Sequence, residues 1–350
     1  MTQESIPFLA GQGLAADGSS FGAAAEELAA ARDRAVIAPL SDLGLIRASG
    51  VDAPDFLHNL LTNDIKGISA GVSRIAGFCT AKGRLLALLL IWRDGDDFLL
   101  MLPRDILPMI LKKLSMYVLR SKVKLTDATD ERLLVGFSNA SRVAPVPTLG
   151  EGAANLPRFG VATIDGGQAV RLDDTRWLLA LDAATAGVHW QRLAATARPV
   201  GLAAWHWLEI AAGQPRVVAA TQEAFVPQML NMELPAVAGV SFSKGCYPGQ
   251  EIVARTQYLG KVKRRTFRAR LVAAATPGTH VYAPETGDQH CGAVVSAAPS
   301  PAGGYECLVC VQIGAVEAGE VRVGTLAGER LEFLSLPYAL KEVPSGGELA

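Results

Sequence analysis

The sequence predicts an α+β protein that ends in an all-β region, and two observations support this class. First, a helix-like apolar repeat combined with short apolar strands occurs twice between residues 35 and 240. Second, the apolar runs after residue 265 are short and are divided by Gly and Pro, as in a small barrel or sandwich. We therefore expect two α+β units packed on each other, followed by a C-terminal β-barrel.

Composition excludes several classes of protein. A chain of 350 residues, 50% hydrophobic and 19% charged, is long enough for two or three domains. A net charge of −1 gives no global attraction to nucleic acid or to an anionic membrane. No apolar run reaches the ~20 residues of a membrane span, and no basic region followed by an apolar stretch opens the chain, so we expect neither stable membrane association nor secretion. Five cysteines, an odd and small number, argue against a disulfide framework and favour a reducing cytoplasm.

Changes in composition along the chain divide it into six segments. The first is rich in Ala, Gly and Ser, and we expect it to be weakly held. The segments are a weakly ordered N-terminal tail (1–34), a first α+β unit (35–127), a second α+β unit (128–240), a motif segment (241–264), a C-terminal β-barrel (265–340) and a C-terminal tail (341–350).

The first unit begins with an apolar strand at 45–48, after which Asp52 and Pro54 are typical of a helix start. This helix should end near Thr62. Apolar runs on both sides of the turn Ala81-Lys82-Gly83 predict a hairpin that extends into a three-stranded meander. A second helix follows the meander. The predicted meander strands lie at 75–80, 84–92 and 98–102, and the second helix at 105–119.

The second unit repeats the combination of strands and helices, and the C-terminal region contains strands alone. The strands of the second unit are predicted at 132–137, 161–164, 169–172 and 177–181, and its helices at 183–197 and 203–212. The strands of the C-terminal region are predicted at 265–273, 281–282, 292–296, 306–313 and 331–336.

Reactive, cationic and backbone-permissive residues crowd together between Ser243 and Thr256, which we interpret as the functional centre. Two glycines permit a tight turn there, and Pro248 is well placed to open a short helix. Cys246 would then lie just before a helix N-terminus. Free amide donors and the nearby Lys244 would stabilise its thiolate form and make this cysteine reactive. The alternative is a tight turn with an incidental small cysteine.

The run from Lys244 to Glu251 resembles the signature K-G-C-Y-x-G-Q-E of the YgfZ family, and the resemblance extends over roughly residues 36–338. It implies a fold like that of the glycine-cleavage T protein, with a central pocket for tetrahydrofolate or a derivative. It also implies a role in supporting iron–sulfur proteins, with Cys246 as the catalytic or reactive residue. The residues that it assigns to the cofactor within the motif are Lys244, Gly245, Tyr247, Gly249, Gln250 and Glu251, with Arg255 beside them.

The same resemblance assigns cofactor contacts outside the motif. Glu209, in a helix-to-loop segment, corresponds to a glutamate whose carboxylate accepts hydrogen bonds from the pterin ring. Without the resemblance, Glu209 would be a solvated helix residue. Gln228 and Asn231 lie in a segment that resembles the family's F-x-P-Q-x-x-N, and they either line the same pocket or serve a structural turn.

The turn Lys82-Gly83-Arg84 resembles the family's A-K-G-K/R turn, and Lys82 and Arg84 are further cofactor candidates. The plainer interpretation of Lys82 is a solvated hairpin tip. In the T protein an aspartate needed for one-carbon transfer follows the corresponding turn, whereas here Arg84 leads into six apolar residues. Proton transfer at the folate nitrogen then has no evident agent, which counts against aminomethyl transfer.

Seven cations follow the motif, with no acidic residue between Ile252 and Ala283, and they predict a positive ledge beside Cys246. Such a ledge could hold folate glutamates, nucleic-acid phosphates or an acidic protein, or could be a solvated strand edge. With few aromatic residues among the cations, the pattern argues against direct nucleic-acid binding. The cations are Arg255, Lys261, Lys263, Arg264, Arg265, Arg268 and Arg270.

The remaining motif, Cys307-x-x-Cys310, does not predict a metal site. The two cysteines are three residues apart on a predicted strand, so they would face opposite sides of it.

The sequence therefore favours a folate-binding accessory factor for assembly or repair of iron–sulfur proteins. It would bind folate and iron–sulfur proteins or their assembly machinery, and would affect tRNA modification indirectly through an iron–sulfur enzyme. Two alternatives stay open. One is a folate-dependent one-carbon transferase, either an aminomethyltransferase or a demethylase, and the other is a non-catalytic folate sensor or scaffold.

Overall fold

The chain folds into two compact units that each draw residues from separate stretches of the sequence. The computed structural model describes residues 5–141, 149–258 and 262–340. Within these residues, the first unit contains 5–57, 65–74, 89–141 and 149–208, and the second contains 58–64, 75–88, 209–258 and 262–340. The six-segment division made from the sequence stays a prediction.

Helices combined with sheets whose strands pair almost entirely antiparallel confirm the α+β class predicted from the sequence. Two helices are shorter than predicted: they span Leu107–Ser115 and Ala186–Ala194, against the predicted 105–119 and 183–197. The described α-helices are α1 (Ser5–Ala10), α2 (Ala24–Asp33), α3 (Ala53–Leu60), α4 (Leu107–Ser115), α5 (Glu151–Ala154), α6 (Ala186–Ala194), α7 (Leu202–Ala211), α8 (Gln250–Tyr258) and α9 (Ile313–Ala318).

A six-stranded sheet forms the main layer of the first unit. Its strand order is β11-β1-β7-β10-β9-β8, in which only the β1–β11 pair is parallel. Trp177 and Trp190 are wholly buried in the core beside this sheet. The strands are β1 (Ala35–Pro39), β7 (Arg132–Asn139), β8 (Val161–Ile164), β9 (Gly167–Arg171), β10 (Arg176–Asp182) and β11 (Arg198–Pro199).

The first unit also holds most of a second sheet, in the order β4-β5-β2-β6. Its strands are antiparallel, and most apolar residues of the predicted meander strands are buried in it. Its members are β2 (Leu43–Ser49), β5 (Asp97–Pro103), β6 (Lys124–Asp127) and the C-terminal half of β4 (Leu85–Asp94).

The N-terminal residues differ from the weakly held tail that we expected. Leu9 and Leu14 are buried in the core of the first unit, and the indole of Trp190 donates a 2.8 Å hydrogen bond to Gln12. The buried carboxylate of Glu27 accepts hydrogen bonds from Phe21 N (2.8 Å) and from a serine hydroxyl in the same turn. These few apolar and polar anchors are hard to recognise among many Ala and Gly residues, but they attach the segment to the unit.

The second unit contains a six-stranded antiparallel sheet that curls into a half-barrel, in the order β16-β13-β14-β15-β12-β17. Five of its strands were predicted, and β16 and helix α9 were missed because both are short. The strands are β12 (Arg264–Leu271), β13 (His280–Tyr282), β14 (Gly292–Pro299), β15 (Tyr305–Gln312), β16 (Arg322–Val323) and β17 (Glu332–Leu334).

The second unit also contains the predicted hairpin, formed by β3 (Arg74–Cys79) and the first residues of β4. Its turn closes through hydrogen bonds from Gly83 N to Thr80 O (2.9 Å) and from Thr80 N to Arg84 O (2.8 Å). The amide of Leu85 then donates to Phe225 O at 2.8 Å, which fixes the loop around residue 225 beside the hairpin. The hairpin is therefore one wall of the candidate site.

Within the described residues, none of the helices is long and apolar enough to cross a membrane.

Candidate functional site

Gly245 and Cys246 form the exposed tip of a loop that is anchored on both sides. Before the tip, Ser241 N donates to Thr62 O at 2.9 Å. After the tip, Tyr247 is buried, with 8% of its surface exposed. Its main-chain oxygen accepts a hydrogen bond from the amide of Gln250 at 3.2 Å. The loop therefore presents one thiol to solvent on a supported backbone.

Lys244 provides the firmest anchor of this loop. Its ammonium donates to Leu61 O at 2.6 Å and also to His58 O, two main-chain oxygens at the C-terminal end of helix α3. A cation is favourable there because the carbonyls at a helix end carry partial negative charge. Burial lowers the pKa of Lys244 to about 8, against the opposing effects of Asp64 and Cys246.

Cys246 differs from every other cysteine of the chain because it alone is exposed. Helix α8 begins at Gln250, four residues later, and none of the hydrogen bonds among the described residues involves the sulfur of Cys246. Stabilisation of the thiolate by the helix amides therefore stays a prediction. Lys244 is the nearby cation, and its ammonium also lies 5.0 Å from the centre of the Tyr247 ring.

Gly249 brings the motif against the hairpin turn. Its φ is +82°, and a Cβ there would meet Thr80 O and approach Gly83 N to 2.6 Å. Gly245 has no such constraint, because a Cβ on it would find no atom within 4 Å. The two motif glycines thus have different roles, close packing at Gly249 and exposure at Gly245.

Helix α8 carries the rest of the predicted motif residues. Glu251 is exposed in its first turn, where a carboxylate is favoured by the helix dipole, and Arg255 is exposed one turn later. Gln228 is wholly buried, and its amide donates to Val253 O at 2.7 Å. Gln228 therefore fixes the helix, which corresponds to the structural alternative stated for it.

Asn231 is also wholly buried. Its amide donates to Thr266 O at 2.9 Å, and its oxygen accepts from Arg265 at 3.2 Å. With φ at +58°, it ends a short 3₁₀ turn in the left-handed conformation that Asn tolerates. Its contacts are again those of a structural turn.

Glu209 lies near the C-terminal end of helix α7, in an ion pair with Arg216 at 3.0 Å. Both side chains are mostly buried, with 17% and 14% of their surface exposed. Gly213 ends the helix at φ +64°, and its oxygen accepts the hydroxyl of Tyr338 at 2.8 Å. Glu209 is thus a partly buried carboxylate held in place at a helix end, and differs from the solvated helix residue of the alternative interpretation.

The positive ledge is smaller than we expected, because carboxylates from distant parts of the second unit neutralise part of it. Arg265 pairs with Glu233 at 2.7 Å, with both side chains almost fully buried, and Arg268 pairs with Glu306 at 2.5 Å. Arg270 lies 3.6 Å from a further carboxylate, Glu332. Lys261 lies outside the described residues.

Arg264 instead faces a cleft of about 590 Å³ in the second unit. Lys82 and Arg84 line the same cleft, whereas none of the other predicted cofactor residues does. Two histidines, His280 and His290, also line the cleft, and sequence reasoning missed them because β13 and the loop before β14 are distant from the motif along the chain. The remaining lining residues are Glu223, Ala224, Phe225, Met229, Gly292, Ala293 and Cys310.

Cys307 and Cys310 are both buried in β15. Among residues 5–141, 149–258 and 262–340, no group of three His, Cys, Asp or Glu side chains is arranged to hold a metal ion.

Comparison with solved structures identifies the fold. The chain superposes on the glycine cleavage system aminomethyltransferase T from Bartonella henselae with a TM-score of 0.72, over 91% of this chain and 90% of that one. The sequences are 18% identical over this alignment, so the similarity shows the fold alone. The T-protein-like fold predicted from the sequence is confirmed.

Comparison of sequences gives the family, although no family model matches the chain. The chain is 33% identical over 247 residues to the tRNA-modifying protein YgfZ of Vibrio vulnificus strain YJ016, covering 71% of this chain and 72% of the relative. It is 31% identical over 253 residues to the protein of the same name in Escherichia coli O127:H6, covering 71% and 76%. Together with the K-G-C-Y-x-G-Q-E loop, these identities show that the chain belongs to the YgfZ family.

Proposed function

We propose that this chain is a cytoplasmic, tetrahydrofolate-binding accessory factor for assembly or repair of iron–sulfur proteins, and that it affects tRNA modification through an iron–sulfur enzyme. The observation that carries the proposal is the anchored loop that exposes Cys246 while the other four thiols are buried. Membership of a family whose curated relatives are named tRNA-modifying proteins supports the connection to tRNA.

The residues available to folate fit its chemistry. A pterin ring presents paired N–H donors, and Glu209 offers a fixed carboxylate whose buried Oε2, 3.0 Å from Arg216 Nε, has no hydrogen-bond partner among the described residues. The glutamate part of folate is anionic, and Arg255 is an exposed cation with no ion-pair partner in the part of the chain that the structure describes. When bound, tetrahydrofolate supplies a carrier for one-carbon units. Glu209 and Arg255 orient it, and Cys246 supplies a reactive thiol.

The test is the activity of an iron–sulfur enzyme in a bacterial strain that lacks its own member of the family. Wild-type protein should restore activity, and Cys246→Ser should not, although it should fold and bind tetrahydrofolate. Ser243→Ala is the matched control, since it changes an exposed neighbour in the same loop and keeps the thiol. Full restoration by a stable, folate-binding Cys246→Ser protein would instead favour a scaffold without a reactive group.

One observation favours the one-carbon transferase as a second candidate. Glu223 N donates to Leu85 O at 2.8 Å, so the loop at 221–225 brings a carboxylate to the cleft beside Arg84, a position where the hairpin sequence has none. The assay is aminomethyl or methyl transfer from glycine-type methylamines to tetrahydrofolate by purified protein. We expect no turnover. If wild-type protein shows turnover and Glu223→Gln abolishes it, the one-carbon transferase becomes the favoured function.

A further inference from the structure

The cleft that contains Lys82 and Arg264 has an unusual balance of charge. Its volume of about 590 Å³ is in the range of small-molecule sites. Three permanent cations line it, Lys82, Arg84 and Arg264, against one carboxylate, Glu223. The lining includes the buried Phe225, so a bound ligand would be partly shielded from water. Charge interactions are stronger in such a setting than on an open surface.

Both guanidinium groups are held in place by main-chain oxygens rather than by carboxylates. Arg84 donates to Ala224 O at 2.8 Å, and Arg264 donates to His290 O at 3.3 Å. A carbonyl fixes the orientation of a guanidinium but does not neutralise its charge, and each guanidinium retains further N–H donors. Lys82 has no partner at all among the described residues.

Two imidazoles lie beside these cations in the cleft. The rings of His280 and His290 stack with their centres 4.1 Å apart and an angle of 13° between their planes. The Nδ1 atom of His290 is buried and has no hydrogen-bond partner within the described residues. Burial, reinforced by His280 and Arg264, lowers the pKa of His290, which is the effect that a nearby anion would reverse.

We propose that this cleft binds a small polyanion with at least two acidic groups, one held by Lys82 and Arg84 and the other by Arg264 and the stacked histidines. Carboxylate and phosphate oxygens share the required chemistry, since both accept paired hydrogen bonds from a guanidinium. The site includes Lys82 and Arg84, which the resemblance assigned to the cofactor, but it requires neither Cys246 nor Glu209, so it can be tested separately from the proposed folate function.

Calorimetric titration of the full chain with two probes tests the proposal and distinguishes the two chemistries. The probes are N-acetyl-tri-glutamate and inorganic tripolyphosphate, and N-acetyl-tri-glutamine is the uncharged comparison. Saturable 1:1 binding of either anionic probe, without binding of the glutamine peptide, is the expected result, and the tighter probe identifies the natural acidic group. Absence of saturable binding by both probes near pH 6 would overturn the proposal.

Substitutions locate the binding in the cleft. Arg264→Gln and Lys82→Gln should each weaken binding about tenfold, the usual effect of losing one charged hydrogen-bond partner. Lys82 is exposed, so its variant keeps the test valid if Arg264→Gln fails to fold. The matched control is Arg270→Gln, which removes the same charge from the same strand outside the cleft and should change affinity less than twofold. Equal losses in the control and the cleft variants would show non-specific attraction and reject the site.

The dependence on pH provides a separate readout. The charged and titratable groups that face the histidine pair in the cleft are Lys82, Arg84, Glu223, Arg264 and Cys310. Protonated imidazoles would attract the anion, so wild-type affinity for N-acetyl-tri-glutamate should increase as the pH falls from about 8 to about 6. The double variant His280→Gln, His290→Gln should lose most of this increase. An unchanged pH profile in the double variant would contradict the role of the histidines, while the control Arg270→Gln should leave the profile intact.

Discussion

The ammonium of Lys244 lies 2.6 Å from the main-chain oxygen of Leu61. This contact gives the lysine of the K-G-C-Y motif a structural task, which is to attach the loop to the end of helix α3. The same ammonium is close enough to Cys246 for a thiolate there to favour its charged form. Lys244 therefore connects the support of the loop with the electrostatics of the exposed thiol.

Replacing Lys244 by Met should destabilise the protein by about 1–3 kcal/mol, because the carbonyls of His58 and Leu61 lose a charged donor. The free energy of unfolding can be measured by urea denaturation near pH 7. Lys263→Met, at an exposed lysine, is the control and should change stability by less than about 0.5 kcal/mol. Equal stability of Lys244→Met and wild type would contradict the anchoring role.

The lowered pKa of Lys244 also predicts a pH dependence of stability. Between a folded-state pKa of about 8 and the ordinary 10.5, the unfolded chain binds a proton that the folded chain has released. The free energy of unfolding due to this group therefore rises with pH in that window. The stability of wild type relative to Lys244→Met should increase from about pH 8 to about pH 10, measured with Cys246→Ser in both proteins to remove the thiol. A constant or decreasing difference would contradict the assigned pKa.

The parts of the fold that follow from local pattern could be predicted from the sequence. The hairpin at 75–92 was predicted because its apolar strands flank a Lys-Gly turn, and helix α3 because Asp52 and Pro54 mark its start. The tight turn that carries Cys246 was predicted from the glycines around it. In each case the information lies within about ten residues of the chain.

The partners of the charged residues could not be predicted in this way. Arg265 and Arg268 are in a run without acidic residues, yet they pair with Glu233 and Glu306, which the sheet brings to them from other segments. The cleft has the same origin, since its stacked histidines lie on a strand and on the loop before its neighbour. Only the tertiary structure determines which cations stay available to a ligand.

Cys246 should be the one thiol of the native protein that reacts quickly with a small alkylating reagent. The other four are buried, and burial raises the pKa of Cys79, Cys307 and Cys310 to about 12 and also raises that of Cys291. A thiol must be accessible and deprotonated to react. Mass spectrometry of briefly treated protein should show a single modification at Cys246, absent in Cys246→Ser and retained in Cys307→Ala. Rapid modification of a second cysteine in folded protein would refute this prediction.

Glu209→Gln should weaken tetrahydrofolate binding about tenfold or more, because an amide replaces a carboxylate that can accept two N–H donors of the pterin. Fluorescence titration gives the affinity, and a thermal melt checks that loss of the charge beside Arg216 has not unfolded the protein. Glu317→Gln, at an exposed carboxylate in helix α9, should bind as wild type does. Unaltered affinity in a folded Glu209→Gln protein would remove this residue from the proposed folate site.

The two glycines of the motif should respond differently to the same change. Gly249→Ala places a Cβ against Thr80 O and Gly83 N at a φ of +82°, a conformation that L residues avoid. The backbone conformation alone accounts for about 1–3 kcal/mol, and contact with the hairpin turn adds to it, since neither main chain can easily move away. Gly245→Ala meets no atom within 4 Å and should change the free energy of unfolding by less than about 0.5 kcal/mol.

Comparing the pair separates packing from function in this loop. Thermal and urea denaturation should show a large loss of stability for Gly249→Ala and almost none for Gly245→Ala. Because Gly245 precedes the exposed Cys246, any loss of iron–sulfur enzyme activity in Gly245→Ala would arise in a folded protein and would point to a partner or ligand that approaches the loop closely at this position. Similar stability of the two variants would mean that the motif does not pack on the hairpin turn through Gly249, and the supported position of the thiol would have to come from Lys244 and Tyr247 alone.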